Sequence, residues 1–401
     1  MNQTDTVMTP VRAGERIQIL DILRGFAVFG ILAVNIAGFA SPSIWPGYVA
    51  PEMPWYDSLA HKLVQFLAEA KFYSIFSFLF GLGFAVQLGR AEARGTDIRS
   101  FYPRRLLLLL GFGLLHSVLL WTADILRLYA LLGFALMAFR KRSNRTLLIA
   151  AGAFFGLSLV LVSLFGGQTG GSTGAIPGLD LVGLARYAYQ STSYLDVLTF
   201  QFFGAIGVFI FLTFTQGPGV MALFLLGLLA GRLRIFANLA QHRRLAQRVL
   251  VTGGLIGLAG GTLLVFAEAS WLAGLGLAVS GPALAAAYIA GLSLLSLRPR
   301  GAVLLAPLAP VGRMALTNYI LQSLVCALLF YGVGLGWYEQ VGAAGLLGIT
   351  AVIYLGQVVL SGWWMKRFMY GPLEWLWRSL TYRQRQPLRA AEYRPAPAAA
   401  D

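Results

Sequence analysis

The chain of 401 residues is 58% hydrophobic and 12% charged, about half the charged share of an ordinary soluble domain. That composition excludes a soluble enzyme and describes a chain dissolved in lipid, with no stretch left over for a sizeable soluble domain. The formal charge of +15 does not mark a nucleic-acid binder, because the arginines gather in short loops between apolar runs, as the positive-inside rule requires. Cys326 is the only cysteine, and the three histidines fall in separate segments, so neither a disulfide framework nor a metal site is expected.

Apolar runs lie at about 17–40, 72–89, 105–121, 124–139, 146–166, 195–215, 219–233, 248–267, 271–296, 311–336 and 342–365. The first carries Asp21 and Arg24 and lacks a cleavage pattern, so it reads as an uncleaved signal anchor. Five basic clusters test the count: around Arg90–Arg105, Arg140–Arg145, Arg232–Arg248, Arg298–Arg300, and the C-terminal tail. Placing all of them and the N-terminus in the cytoplasm requires an even number of crossings. The weakest run is 195–215, with Asp196, Gln201, Thr213 and Thr215 ahead of Gly217-Pro218-Gly219. The expectation is therefore an all-α polytopic bundle of ten crossings, both termini cytoplasmic, with 195–215 re-entrant or interfacial; eleven follow if that run also spans.

The segments 76–90 and 221–234, "FSFLFGLGFAVQLGR" and "MALFLLGLLAGRLR", echo one another and suggest a parallel internal repeat. The outer loops 41–71 and 167–194 are rich in Pro and aromatics and in Gly, Ser and Thr respectively. The tail 383–401, rich in Arg, Pro and Ala, reads as disordered. Four regions result: 1–16 cytoplasmic, 17–233 and 234–382 transmembrane, and the tail.

Polar groups at membrane depth are expensive, so each is a candidate for function. At 100° per residue Asp21, Arg24 and Asn35 share one face of the first span within about 60°, with Asn35 about 16 Å further out than Arg24. His116 lies two-thirds through the third span and handles protons near neutral pH; its plainer reading is an interhelical hydrogen bond. Asp124 and Arg127 follow at the outer turn, where capping and an i,i+3 pair are the simpler account. Asn318 and Gln322 lie one turn apart on the tenth span, and Gln357 and Ser361 on the eleventh; they serve either helix packing or a polar ligand. Lys71 at the outer edge of the second span would snorkel to headgroups or contact an anion.

"RIQILDILRGFAVFGILAVNIAGF", "KFYSIFSFLFGLGF" and "RRLLLLLGFGLLHSVLLWTADILRLYALLGF" resemble the successive N-terminal signatures of the YeiB-like bacterial membrane proteins, which are related to the heparan-alpha-glucosaminide N-acetyltransferases. "GRMALTNYILQS", "LFYGVGLG" and "GPLEWLWRSLTY" resemble the C-terminal domain of unknown function 418 of that family, and the match runs from Arg16 to about Tyr382. The resemblance implies an acyltransferase-like fold that moves an acyl group from a cytoplasmic thioester to an acceptor across the membrane. Those relatives use a histidine in the loop after the first span, whereas this chain has none between Asn35 and Asp57.

If acyl transfer occurs, His116 is then the expected base, with Asp124 orienting it and Asn35 donating to the oxyanion. Asp21, Arg24, Lys71, Arg127, Arg313, Asn318, Gln322 and Gln357 are the expected substrate- or donor-binding groups, and Arg16, Arg104 and Arg105 would join Arg24 and Arg313 at coenzyme A phosphates. No tightly bound cofactor is expected beyond acyl-coenzyme A as co-substrate. The partners expected are membrane lipids and a small polar or lipid substrate, with a homodimer admitted and nucleic acid excluded. The location expected is the inner (cytoplasmic) membrane. The competing reading is a transporter or a lipid- or quinone-binding protein without covalent chemistry. A cavity reaching His116 from the cytoplasmic mouth would favour the enzyme.

Overall fold

The computed structural model describes residues 17–165 and 178–389. The expected N-terminal segment, part of the second outer loop, and residues 390–401 of the tail lie outside that range. Every regular element among the described residues is helical. In chain order these are α1 (Gln18–Ala40), α2 (Trp55–Leu67), α3 (Lys71–Ala93), α4 (Tyr102–Leu119), α5 (Leu126–Ala138), α6 (Asn144–Phe165), α7 (Leu181–Gln190) and α8 (Tyr194–Thr215). Then follow α9 (Gly217–Arg232), α10 (Arg243–Phe266), α11 (Ser270–Ser296), α12 (Pro299–Leu305), α13 (Leu308–Arg313), α14 (Ala315–Phe330), α15 (Ala343–Met365) and α16 (Pro372–Tyr382).

Seven helical stretches are long and apolar enough to cross a membrane: α1, Trp55–Ala93, α6, α8, α10, α11 and α15. α5, α9 and α14 are shorter apolar helices. Many large apolar side chains face outward along α6, α8, α10 and α15, including Leu164, Phe203, Leu255 and Val352. A contiguous apolar exterior of that kind suits lipid rather than water.

Small residues let helices approach closely in lipid, where no hydrophobic drive pushes them together. A Cβ on Gly25 of α1 would stand 2.1 Å from the Leu308 carbonyl oxygen, and one on Gly312 would stand 1.8 Å from that of Asp21. The two glycines clamp α13 to α1, and so join the N- and C-terminal regions. The echoing segments of α3 and α9 pack on one another. Gly81 abuts Phe224, Gly227 abuts Phe78 and Leu82, and Gly231 abuts Ala85, so the contacts advance together as for parallel helices. Between α2 and α3 the backbone breaks at Ala70, whose φ of 66° is left-handed.

The basic clusters collect at one end of the bundle. Arg232, closing α9, donates to the carbonyls of Arg140 and Arg142 at 2.6 Å each, in the turn between α5 and α6. Arg104 donates to the Thr381 carbonyl at 2.8 Å, and the Arg105 guanidinium lies 3.7 Å over the Trp377 ring of α16. Just beyond α16, Gln386 is buried and its carbonyl accepts the Trp375 indole N–H at 2.8 Å. Order thus extends past Arg383, where the disordered tail was expected to begin.

The run 195–215 is one unbroken helix, α8, rather than a broken re-entrant loop. Its polar residues are absorbed locally: Thr213 and Thr215 donate to their own i−4 carbonyls, and Asp196 accepts from Ser191. Gly217-Pro218 opens the next helix, with proline in its first turn. The first half of α8 is held at the turn between α4 and α5. Tyr194 donates to the Leu119 carbonyl, Gln201 approaches that of Leu120 at 3.4 Å, and Arg127 donates to that of Ala205 at 2.9 Å.

Candidate functional site

A cavity of ≈ 340 Å³ is lined from α1, α3, α4, α5, α13, α14 and α16. Its walls are apolar, among them Val28, Phe76, Phe80, Leu109 and Leu126. Around its basic end stand five arginines (Arg24, Arg90, Arg105, Arg313, Arg378) against two carboxylates, Asp21 and Glu374. Arg24 and Asp21 pair at 2.7 Å, both partly exposed. Arg313 donates to the Met369 carbonyl at 3.2 Å. Glu374 reaches from α16 to the start of α14, accepting the Leu316 and Thr317 amides at 2.7 and 3.1 Å and the Thr317 hydroxyl at 2.6 Å. It therefore caps a helix to which it does not belong. Burial pushes its carboxyl above the ordinary 4.5, with those hydrogen bonds opposing the shift.

Tyr319, one turn into α14, also lines the cavity, and its ring lies 4.8 Å from the His116 imidazole. Behind it sits a fully buried polar chain. His116 Nδ1 meets Asp124 Oδ2 at 2.7 Å, and His116 Nε2 meets Ser323 Oγ at 2.8 Å. The other Asp124 oxygen accepts the Arg127 backbone N–H at 3.0 Å. Capping and histidine orientation, weighed as alternatives from the sequence, thus coexist on separate oxygens. In the tautomer that carries its proton on Nδ1, the imidazole donates to Asp124 Oδ2 and Nε2 accepts from Ser323.

The remaining sequence candidates separate into groups. Asp21, Arg24 and Arg313 stand at the cavity's basic end. Arg127 is buried beside Asp124, its guanidinium spent on the Ala205 and Thr122 carbonyls. Asn318, Gln322 and Gln357 form an amide zipper between α14 and α15. Gln322 Nε2 donates to Gln357 Oε1 at 2.8 Å, Gln357 Nε2 to the Asn318 carbonyl at 2.9 Å, and Asn318 Nδ2 to Ser361 at 3.0 Å. None of the three lines the cavity. Lys71 neither snorkels nor faces the cavity: fully buried, it donates to the Gln65 carbonyl and to Ser280 Oγ at 3.0 and 3.1 Å. Asn35 is half-buried on α1, with no hydrogen bond to His116 or Asp124.

Ser323, Tyr319, Glu374 and Arg378 were not among the residues singled out for a role. Ser323 and Tyr319 share a face at i and i+4, and that spacing is the only signal the sequence offers.

Residues 230–384 match the family described as "Protein of unknown function (DUF418)". Over 95% of its length the chain is 35% identical to the uncharacterized protein YxaH of Bacillus subtilis, 98% of which is covered. It is 31% identical, over 95% of this chain and 98% of the relative, to an uncharacterized 39.9 kDa protein in the amylase 3' region of Bacillus acidopullulyticus. It is 28% identical to the uncharacterized protein YeiB of Escherichia coli, over 93% of this chain and 98% of that one. With its motifs, its helical bundle and these full-length relatives, the chain belongs to the YeiB-like family that carries the DUF418 domain.

Proposed function

We propose that this protein is an integral-membrane acyltransferase of the bacterial cytoplasmic membrane, taking an acyl group from a cytoplasmic thioester and passing it to a cell-envelope sugar or lipid. In this reading the basic end faces the cytoplasm and both termini lie on that side. The observation that carries it is the cavity: arginines at one end, apolar walls, and Tyr319 at the wall, which stands between the cavity and the His116–Asp124 pair; neither His116 nor Asp124 itself lines it.

A phosphate-bearing donor with a thin acyl-carrying arm matches that gradient. Guanidinium groups hold phosphates at the mouth, and the uncharged arm lies along apolar walls. His116 Nε2 accepts the proton released as a nucleophile attacks the thioester carbonyl, and Asp124 holds the imidazole in the tautomer that can do so. Excluding water at the buried pair prevents hydrolysis from competing. The apolar walls also suit a phosphate-headed lipid held without chemistry, which is the second reading.

Isothermal titration of coenzyme A and acetyl-coenzyme A into the detergent-purified protein tests this. Binding is expected in the micromolar range, weakened about tenfold by Arg24→Ala or Arg313→Ala, the loss of one charge-assisted contact. Acetyl-coenzyme A is also expected to release free thiol slowly. Absence of binding by protein that unfolds cooperatively overturns the donor assignment.

A further inference from the structure

We propose that Ser323 is a nucleophile and carries the acyl group as an ester between donor and acceptor, which rests on the acyl-transfer reading above. Ser323 Oγ, His116 and Asp124 form a continuous hydrogen-bonded chain of 2.8 and 2.7 Å. It is assembled from α14, α4 and the turn after α4. All three residues are at most 3% exposed.

The ordinary use of a serine or threonine in a membrane helix is to satisfy its hydroxyl on the carbonyl four residues back. Ser74, Ser77, Thr213 and Thr215 do so here at 2.6 to 2.8 Å. Ser323 departs from that pattern. Its distance to the Tyr319 carbonyl is 3.3 Å, while the imidazole nitrogen stands at 2.8 Å. The hydroxyl has one proton, and the shorter contact is to a basic nitrogen whose opposite side is fixed by a carboxylate. That is the arrangement that activates an alcohol.

Tyr319 lines the cavity, and Ser323 lies one turn further along the same helix face, about 6 Å deeper. Tyr319 is therefore the side chain between donor and nucleophile.

The chemistry balances without any further reactant. In the first step the Ser323 hydroxyl proton passes to His116 Nε2 as Oγ attacks the thioester carbonyl carbon. The C–O bond forms, the C–S bond breaks, and the departing thiolate takes the proton from His116 to leave as free thiol. In the second step an acceptor hydroxyl gives its proton to His116 Nε2 and attacks the ester carbonyl. The new ester forms, the bond to Ser323 Oγ breaks, and the serine recovers the proton.

The test uses the full chain in detergent and an alkyl fluorophosphonate, which reports serine nucleophilicity without assuming a donor. One adduct is expected, on Ser323 by peptide mass spectrometry. It should be absent in Ser323→Ala, about a hundredfold slower in His116→Gln through loss of the general base, and faster in Tyr319→Ala. Ser323→Cys, of nearly the same size, is the second variant should the alanine variant fold poorly, and it too should lose the adduct, because a fluorophosphonate labels an activated hydroxyl and not a thiol. Acid quenching after acetyl-coenzyme A is expected to leave one acetyl group on Ser323.

No adduct on Ser323 of cooperatively folded protein, or an undiminished rate in His116→Gln, overturns the proposal. Thiol release that persists in Ser323→Ala also overturns it, while leaving acyl transfer standing. Labelling of Ser323 without any thiol release instead removes the thioester donor and leaves the nucleophile.

Discussion

Gly81 and Gly83, two positions apart on α3, meet opposite surroundings. A Cβ on Gly81 would stand 1.9 Å from the Phe224 carbonyl oxygen of α9, whereas a Cβ on Gly83 meets nothing within 4 Å. Gly83 also lines the cavity. One glycine therefore sets the spacing of two helices, and the other leaves room for a ligand.

The pair separates fold from function. Gly81→Ala forces α3 and α9 apart and should destabilise by about 1–3 kcal/mol, the usual result of overpacking. Gly83→Ala should unfold at the parent temperature. Gly83→Phe should also fold but fill the cavity, weakening coenzyme A binding about tenfold or more, or over ~1.4 kcal/mol. Thermal unfolding in detergent and titration calorimetry check both arms. Undiminished binding by Gly83→Phe would remove the cavity from the donor site.

The amides between α14 and α15 are predicted to be structural. Gln322 and Gln357 are 3% and 2% exposed and bond to one another, so cutting one to leucine strands the other in an apolar interior. Gln322→Leu or Gln357→Leu alone should cost about 1–3 kcal/mol. The double variant should cost less than the sum, because neither glutamine then strands the other. Coenzyme A affinity should not move in any of the three. A loss of affinity at unchanged stability would return these residues to the binding site.

How far these features could be read from the sequence depends on the range over which each is built. The helical bundle, the basic end and the Asp21–Arg24 pair depend on periodicity and near neighbours, and were legible. So was the partnership of His116 with Asp124, because eight residues and one tight turn bring them together. Ser323 was not, since its partner lies 207 positions away and nothing in helical spacing says which faces meet. Lys71 misled for a related reason. The left-handed Ala70 turns the chain inward just before it, so a side chain expected at the headgroups ends on Ser280 of α11. In α8 the polar residues suggested a segment that does not cross fully, re-entrant or interfacial; it is one continuous helix, and its threonine hydroxyls close on carbonyls of the same helix. Hydrogen bonding four residues back makes such side chains cheap in lipid, which composition alone does not register.

Glu374 gives a pH dependence whose sign decides between two effects. Burial raises its carboxyl above the ordinary 4.5, while the hydrogen bonds from Leu316 and Thr317 lower it, and burial wins. With the folded value raised, the folded chain keeps the proton at a pH where the unfolded chain has lost it. The associated stability is complete below the ordinary value and is lost as pH rises through the folded one. Glu374→Gln stays neutral throughout and removes that dependence. The unfolding temperature of the parent minus that of the variant should therefore fall as pH rises from about 4 towards neutrality. A difference that grows with pH would mean that capping of α14 favours the carboxylate more than burial opposes it, so that the ionised form is the one that locks α16 onto the cavity.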